Sequence, residues 1–371
     1  MDIQQAIGRS SLCLLSLLGL TLLASPVAAQ VFDSGPSDPA LFDTVINVPT
    51  DPNIGDDESI GSDGLTTQLN LSDGGDVGNR VTVQSGSEVN ISGGEVGNTL
   101  TVASGGEVNI SGGTTSSRLT AQSGSEVNIS GGAMSGFFVS ETGSVVNITG
   151  GSTDFPFSVG RLLVSGEVNI SGEAFVPSVS NTSGSEVNVS GGSVGTVETF
   201  EDASGSVVNI SGGSVDLVVA AAGSEVNVSG GSTTVFALPS SAVNLSVRDA
   251  SLDGVLISGL SRDSAVTISE RAGVLTGWLA DGSDFSFELN PAPVDISLRQ
   301  DFFDPEATLT VTLGTTLLLG DVNLDSEVNF EDIPDFIVAL SATYIEIADI
   351  NQDYEVNFGD IAPFIEILTA Q

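Results

Sequence analysis

The sequence predicts a mainly β protein, a single-stranded parallel β-solenoid closed by a β-rich C-terminal cap and followed by a small α-helical domain. Three observations carry this. A motif of the form Glu-Val-Asn-Ile-Ser-Gly-Gly returns about every 19 residues through the middle of the chain. Longer alternating runs replace it after residue 246. Two matched acidic segments of 12 residues then end the chain, each followed by apolar residues at helical spacing.

Composition narrows the function classes. The 371 residues carry 48 Asp plus Glu against 8 Lys plus Arg, a formal net charge of −40. All eight cations are Arg, and there is no Lys and no His. A nucleic-acid or anionic-membrane binder needs cations to displace counterions, so neither is expected as a partner. Chemistry built on a histidine base, a Schiff-base lysine, a Walker lysine or a His-ligated metal is excluded. A hydrophobic content of 40% still suffices to bury a core.

The order of segments starts with export. Arg9 precedes an apolar stretch from Leu12 to Ala24, then Pro26 and the small residues Val27-Ala28-Ala29. Residues 1–29 therefore read as a signal peptide cleaved after Ala29, giving a secreted or cell-surface protein. No later stretch has the roughly 20 apolar residues of a membrane span. Cys13 is the only cysteine and lies in this segment, so the mature chain needs stability from architecture or metal. Residues 30–65, with Pro36, Pro39, Pro49 and Pro52, read as a leader and N-terminal cap.

The solenoid is assigned to residues 66–246. Its repeated asparagines are Asn90, Asn109, Asn128, Asn147, Asn169, Asn188, Asn209, Asn227 and Asn244, with a forerunner at Asn70. In each unit one strand alternates, as in Glu88-Val89-Asn90-Ile91-Ser92, with Val and Ile on one face. A second strand such as Val81-Thr82-Val83 adds two more inward residues, and single residues such as Val77, Val96, Met134 and Val194 add a third contact. Gly-Gly and Ser-Gly-Ser supply corners, since glycine takes positive φ freely. One unit cannot bury its own apolar face; stacked units share a column. Nine or ten coils stacked about 4.8 Å apart make a rod about 45 Å long.

The repeat is similar to the right-handed parallel β-helix of autotransporter adhesin passengers and to pectin lyase-like solenoids. That resemblance implies right-handed coiling and, for the first family, an adhesive role. Glu88, Glu107, Glu126, Glu167, Glu186 and Glu225 share one coil position. They read as a solvated protective face, or as carboxylates bridged by a cation. The asparagines also form Asn-x-Ser/Thr sequons, and read either as a hydrogen-bonded stack or as glycan acceptors. Asp154, Glu198, Glu201, Asp202 and Asp216 break the pattern without forming a catalytic motif, so no catalytic residue is assigned.

Residues 247–319 are expected to cap the solenoid. Strands are expected at Ala265–Ser269, Val274–Ala280, Asp284–Leu289 and Ala307–Leu313, with a hairpin turn at Asp281-Gly282. Trp278, Phe285, Phe287, Phe302 and Phe303 supply the bulk of the cap.

The last segment, 320–371, carries the most specific chemistry. DVNLDSEVNFED starts at Asp321 and DINQDYEVNFGD starts at Asp349. Calcium takes six to eight hard oxygens, and a 12-residue loop offers them from positions 1, 3, 5, a carbonyl at 7, and 12. These are Asp321, Asn323, Asp325, Glu327 and Asp332, then Asp349, Asn351, Asp353, Glu355 and Asp360, giving two Ca2+ sites. Position 9 is Asn329 and Asn357, a ligand that can act through water. Ile333, Phe336, Ile337, Leu340 and Ile361, Phe364, Ile365, Leu368 form the following apolar stripes. The pair resembles a type I dockerin, an EF-hand-like calcium module, which implies docking on a cohesin-like or other cell-surface protein. Position 6 departs from the family glycine as Ser326 and Tyr354, and positions 10 and 11 are Phe330-Glu331 and Phe358-Gly359 instead of a small hydroxyl pair. The expected function is a non-catalytic extracellular structural or adhesive protein with a calcium-dependent attachment tail. The competing readings are a dockerin-bearing glycoside hydrolase or lyase and a carbohydrate-binding adhesin, with a polysaccharide as partner in both.

Overall fold

A computed structural model describes residues 42–62, 64–151, 162–200, 204–260, 264–290, 299–314, 322, 328–340, 348, 350 and 356–369. All of them belong to the second of the two units into which the chain divides, Asp33–Gln371. The assigned signal peptide lies outside the described residues. The protein is mainly β, 52% strand against 7% helix, built as a parallel β-solenoid of about ten turns. Among the described residues no helix is long and apolar enough to cross a membrane.

Each coil follows three stacked faces, with three short strands in the early coils, whereas Thr114–Ala121 runs through the second and third faces and Glu186–Thr199, Val207–Ala220 and Glu225–Ala237 each run through all three as one strand. The first face stacks Glu88–Ile91 on Glu107–Ile110 and Glu126–Ile129 in unbroken parallel register, so that Val89 meets Val108 and Asn90 meets Asn109. The second is short, stacking Val77 on Val96 and then Thr115 and Met134. The third stacks Val81–Val83 on Leu100–Val102 and Leu119–Ala121. The alternation read from the sequence decides what faces inward: Val89, Ile91, Val108, Ile110, Val127 and Ile129 are all buried. Burying each such side chain contributes roughly 1.5–3 kcal/mol, and the column is continuous because every coil reuses the same positions.

The stack reaches back past the recognisable repeats. Thr44–Val48 pairs in parallel with Thr67–Leu71, and Ser59–Ile60 with the strand at Thr82 and Val83. The first coil thus lies within the segment read as leader and cap. Asp57 and Arg80, both at positive φ, form an exposed ion pair between this coil and the next.

At the other end the chain leaves the stack and returns to it. Ala242–Leu252 turns into antiparallel pairing with Val274–Leu279, which pairs with Asp284–Glu288 through the expected hairpin. The chain then re-enters: Phe302–Phe303 lies parallel on Phe236–Ala237, and Thr308–Leu313 on Ala242–Val247. Val266–Thr267 runs antiparallel against this last strand and ends the parallel order. Covering that edge removes a template for further strand addition. Phe285, Phe287, Phe302 and Phe303 are buried here as expected, whereas Trp278 faces out.

Arg271 closes the cap from inside. It is 9% exposed and donates to the carbonyls of Ala307 at 2.7 Å, Glu270 at 3.1 Å, Asp304 at 3.4 Å and Ile268. Burial lowers its pKa from the ordinary guanidinium value, opposed by the Asp304 and Glu270 carboxylates. Asp301 accepts N–H donors from Val235 and Glu288, yet burial pushes its carboxyl above the usual carboxylate range.

The corners set a sharp test. Gly113 has φ +73°, and a Cβ there would lie 2.7 Å from the Gly93 carbonyl oxygen one coil below. Gly184 has φ +71° but nothing within 4 Å of its Cβ position. Gly184→Ala is expected to destabilise by about 1 kcal/mol through φ alone. Gly113→Ala is expected to cost at least about twice that in thermal or urea unfolding, because backbone of the neighbouring coil must move.

Candidate functional site

Two arrangements carry the candidate chemistry, the acidic C-terminal segments and the outward rows of the solenoid. The C-terminal pair is built around two helices, Ile333–Ala339 (α1) and Ile361–Thr369 (α2). A proline near each start, Pro334 and Pro363, suits the first turn, where N–H groups have no helical partner. Phe336 and Phe364 stack at 4.2 Å between ring centres. Around them pack Val328, Ala339, Ala348 and Ile350, with Ile333, Leu340, Val356, Ile361 and Leu368 partly buried. The same loop and helix positions contribute from each half, so the two repeats share one small core. Of the apolar stripes read from the sequence, Ile337 and Ile365 differ: they are 59% and 53% exposed.

Asp332 and Asp360 sit where each loop enters its helix, and both are fully buried. Oδ2 of Asp332 accepts the Asn329 N–H at 2.7 Å, and Oδ2 of Asp360 accepts the Asn357 N–H at 2.8 Å. The two carboxylates therefore close their loops in the same way. Asp321, Asn323, Asp325, Glu327, Asp349, Asn351, Asp353 and Glu355 lie outside the described residues. Among the described residues no group of three or more Asp and Glu is gathered closely enough to hold a metal ion. Phe330 and Phe358, at matching positions just before the helices, are 70% and 83% exposed.

On the solenoid, the repeated asparagines form a ladder. Each Nδ2 donates to Oδ1 of the asparagine one coil earlier, from Asn70 onto Asn47 through to Asn244 onto Asn227, at 2.7–3.1 Å. Thr310 terminates it by donating its hydroxyl to Asn244 Oδ1 at 2.6 Å. Sequence reasoning missed both ends. Asn47 was legible, since Val45-Ile46-Asn47-Val48 has the alternation of the repeat; Thr310 enters only because the chain returns to the stack.

The glutamate row has a role that the sequence reading did not give it. The second Nδ2 hydrogen of Asn90, Asn109 and Asn169 goes to Glu88, Glu107 and Glu167 at 2.6, 2.9 and 3.0 Å. In the coils of Asn209 and Asn244, Val207 and Ala242 replace the glutamate. There the asparagine reaches back to Glu186 at 3.1 Å and to Glu225 at 2.9 Å in the coil before. The hydroxyl two residues after the asparagine is also engaged in six coils: Ser72, Ser92, Ser111, Ser130, Thr149 and Ser229 donate to a carbonyl of the preceding coil. In those coils both polar residues of the sequon are engaged between coils, the asparagine side chain with the asparagine below and the hydroxyl with a backbone carbonyl. Of the residues that break the repeat, Asp216 is paired with Arg299, and Glu198 lies on the strand Glu186–Thr199. Asp154, Glu201 and Asp202 lie outside the described residues.

The ladder gives a graded prediction. Asn128 is 7% exposed, and Asn128→Ala strands the Asn147 donor and the Asn109 acceptor together. The expected loss is about 2 kcal/mol in denaturant unfolding. Asn47→Ala, at the exposed end of the ladder, is expected to cost about 0.5 kcal/mol, since water replaces its single ladder bond.

Comparison with protein-family models, with curated proteins and with solved structures finds no match to this chain.

Proposed function

We propose that this chain is an exported, non-catalytic extracellular protein whose C-terminal segment binds two calcium ions and attaches the solenoid to a protein partner. The observation that carries the reading is the repetition at Asp332 and Asp360. Each is a buried carboxylate at the end of a 12-residue acidic segment, fixed by the amide three residues earlier, at the mouth of a helix. A carboxylate already held at loop position 12 suits a hard divalent cation, because its orientation is set before the ion arrives. The first ion would be held by Asp321, Asn323, Asp325, Asp332 and the Glu327 carbonyl. The second would be held by Asp349, Asn351, Asp353, Asp360 and the Glu355 carbonyl. When bound, calcium would neutralise the crowded carboxylates and couple folding of the pair to metal.

The exposed side chains favour attachment over a purely internal clasp. Phe330, Phe358, Ile337, Val338 and Ile365 are all large apolar side chains exposed on this small domain, and so available to a protein partner. The dockerin resemblance names a cohesin-like or other cell-surface protein as the partner class. Phenylalanine in place of the family's small hydroxyl residue makes the expected contact apolar.

Calorimetric titration of the full chain is expected to show two calcium ions bound. Asp332→Asn and Asp360→Asn are each expected to remove one. Calcium at one hundred times the dissociation constant is expected to stabilise the C-terminal pair by about 2.7 kcal/mol. Absence of binding heat and of any unfolding shift at millimolar calcium would refute the reading.

A further inference from the structure

The antiparallel cap presents a second surface, independent of the calcium reading. Trp278 is the only tryptophan in the chain, and it is 51% exposed on the outer face of the cap sheet. Its neighbours on that face follow from the strand register. Asp249 is paired directly across from Trp278 on one side and Asp284 on the other. Directly opposite residues on antiparallel strands share a face, so one indole is flanked by two exposed carboxylates. Neither carboxylate has a hydrogen bond or ion pair with another described residue. The next step along the same face carries hydroxyls: Ser251 and Thr276 hydrogen-bond at 3.0 Å, and Ser286 lies across from Thr276.

The core does not require this tryptophan. Leu275 and Leu279 on its strand, with Phe285 and Phe287 on the next, fill the inner face. The backbone nevertheless holds Trp278 close to Asp249. A Cβ at the adjacent Gly277 would lie 2.2 Å from the Asp249 carbonyl oxygen, so only glycine permits this approach. Arg248, the nearest cation in sequence, donates Nε to the Ala280 carbonyl beside the hairpin turn.

We infer that the Trp278 face binds a polysaccharide carrying ammonium groups, a polymer of amino sugars. The flat indole takes the C–H face of a pyranose ring and attracts a neighbouring ammonium by cation–π interaction. Adjacent strands lie about 4.8 Å apart, so the flanking carboxylates straddle the indole at about 10 Å and meet groups on either side of a bound ring. The hydroxyls of Ser251, Thr276 and Ser286 supply donors and acceptors for the sugar's own hydroxyls. Charge complementarity selects the class: with −40 on the chain and two unneutralised carboxylates at the indole, uronic-acid and sulfated polymers are repelled.

The single tryptophan makes the site directly observable. Titrating the full chain with a soluble glucosamine oligosaccharide is expected to change its tryptophan fluorescence saturably. The fully N-acetylated oligosaccharide, which lacks the ammonium, is expected to bind about tenfold more weakly. By calorimetry, the Asp249→Asn and Asp284→Asn variants, which keep shape and hydrogen-bonding size, are each expected to lose about tenfold. Trp278→Ala, checked for folding by circular dichroism, is expected to abolish binding. The inference is overturned if the glucosamine oligosaccharide gives no saturable change, or if the neutral sugar binds equally well. It is also overturned if both asparagine variants bind as the parent does, or if a lysine oligopeptide of equal charge matches the sugar.

Discussion

The amide of each ladder asparagine donates to the asparagine one coil earlier, and the rest of the solenoid follows from keeping that register. A parallel strand can slip against its neighbour, but a slip of one residue turns Asn outward-to-inward and puts Val89 or Val108 into water. A slip of two residues restores the apolar face but sets Asn90 against Glu107 or Glu88 against Asn109, and breaks the ladder in every coil it touches. Each bond contributes only about 1 kcal/mol, yet each unmade one leaves a half-buried amide without its partner. Specificity of stacking thus comes from the polar row, while most of the stabilisation comes from the aliphatic columns behind it.

Charge is distributed around that constraint. Glu88, Glu107, Glu167, Glu186 and Glu225 beside the ladder accept its spare N–H groups, in their own coil or one coil on, so part of the −40 is engaged in the architecture and not simply spread over the surface. The five arginines among the described residues are engaged as well. Arg80 pairs with Asp57, Arg299 with Asp216, Arg118 bonds Thr120, and Arg248 and Arg271 donate to backbone carbonyls of the cap. Little positive charge remains among the described residues to meet an anionic partner. The candidate contacts are accordingly apolar, at Phe330 and Phe358, or suited to a cation, at Trp278.

Much of the fold was legible because a solenoid writes its contacts into local sequence. The same Glu-Val-Asn-Ile-Ser-Gly-Gly motif recurs about every 19 residues, so period, inward residues, corner glycines and the asparagine stack could all be read off one coil. The first coil was missed because its strand, Thr44–Val48, follows prolines and lacks the Gly-Gly corner, though its alternation is the same. The return of Phe302–Phe303 and Thr308–Leu313 to the stack was not legible, since those strands pair with residues more than 60 positions away. Trp278 was legible only as bulk of the cap, with no face assigned; strand parity, set by its pairing with Asp249 and Asp284, sends it outward. In the C-terminal pair, loop spacing named Asp332 and Asp360, but only the structure brings out that both are buried and fixed in the same way.

The claim that the ladder holds register is tested most directly by hydrogen exchange of the asparagine side-chain amides, followed by nuclear magnetic resonance on selectively labelled protein. Interior rungs such as Asn109, Asn128, Asn147 and Asn188 are expected to exchange far more slowly than a free side-chain amide, with Asn47 at the exposed end faster than the rest. Exchange at the free-amide rate throughout the row, in a protein whose backbone amides remain protected, would contradict the account.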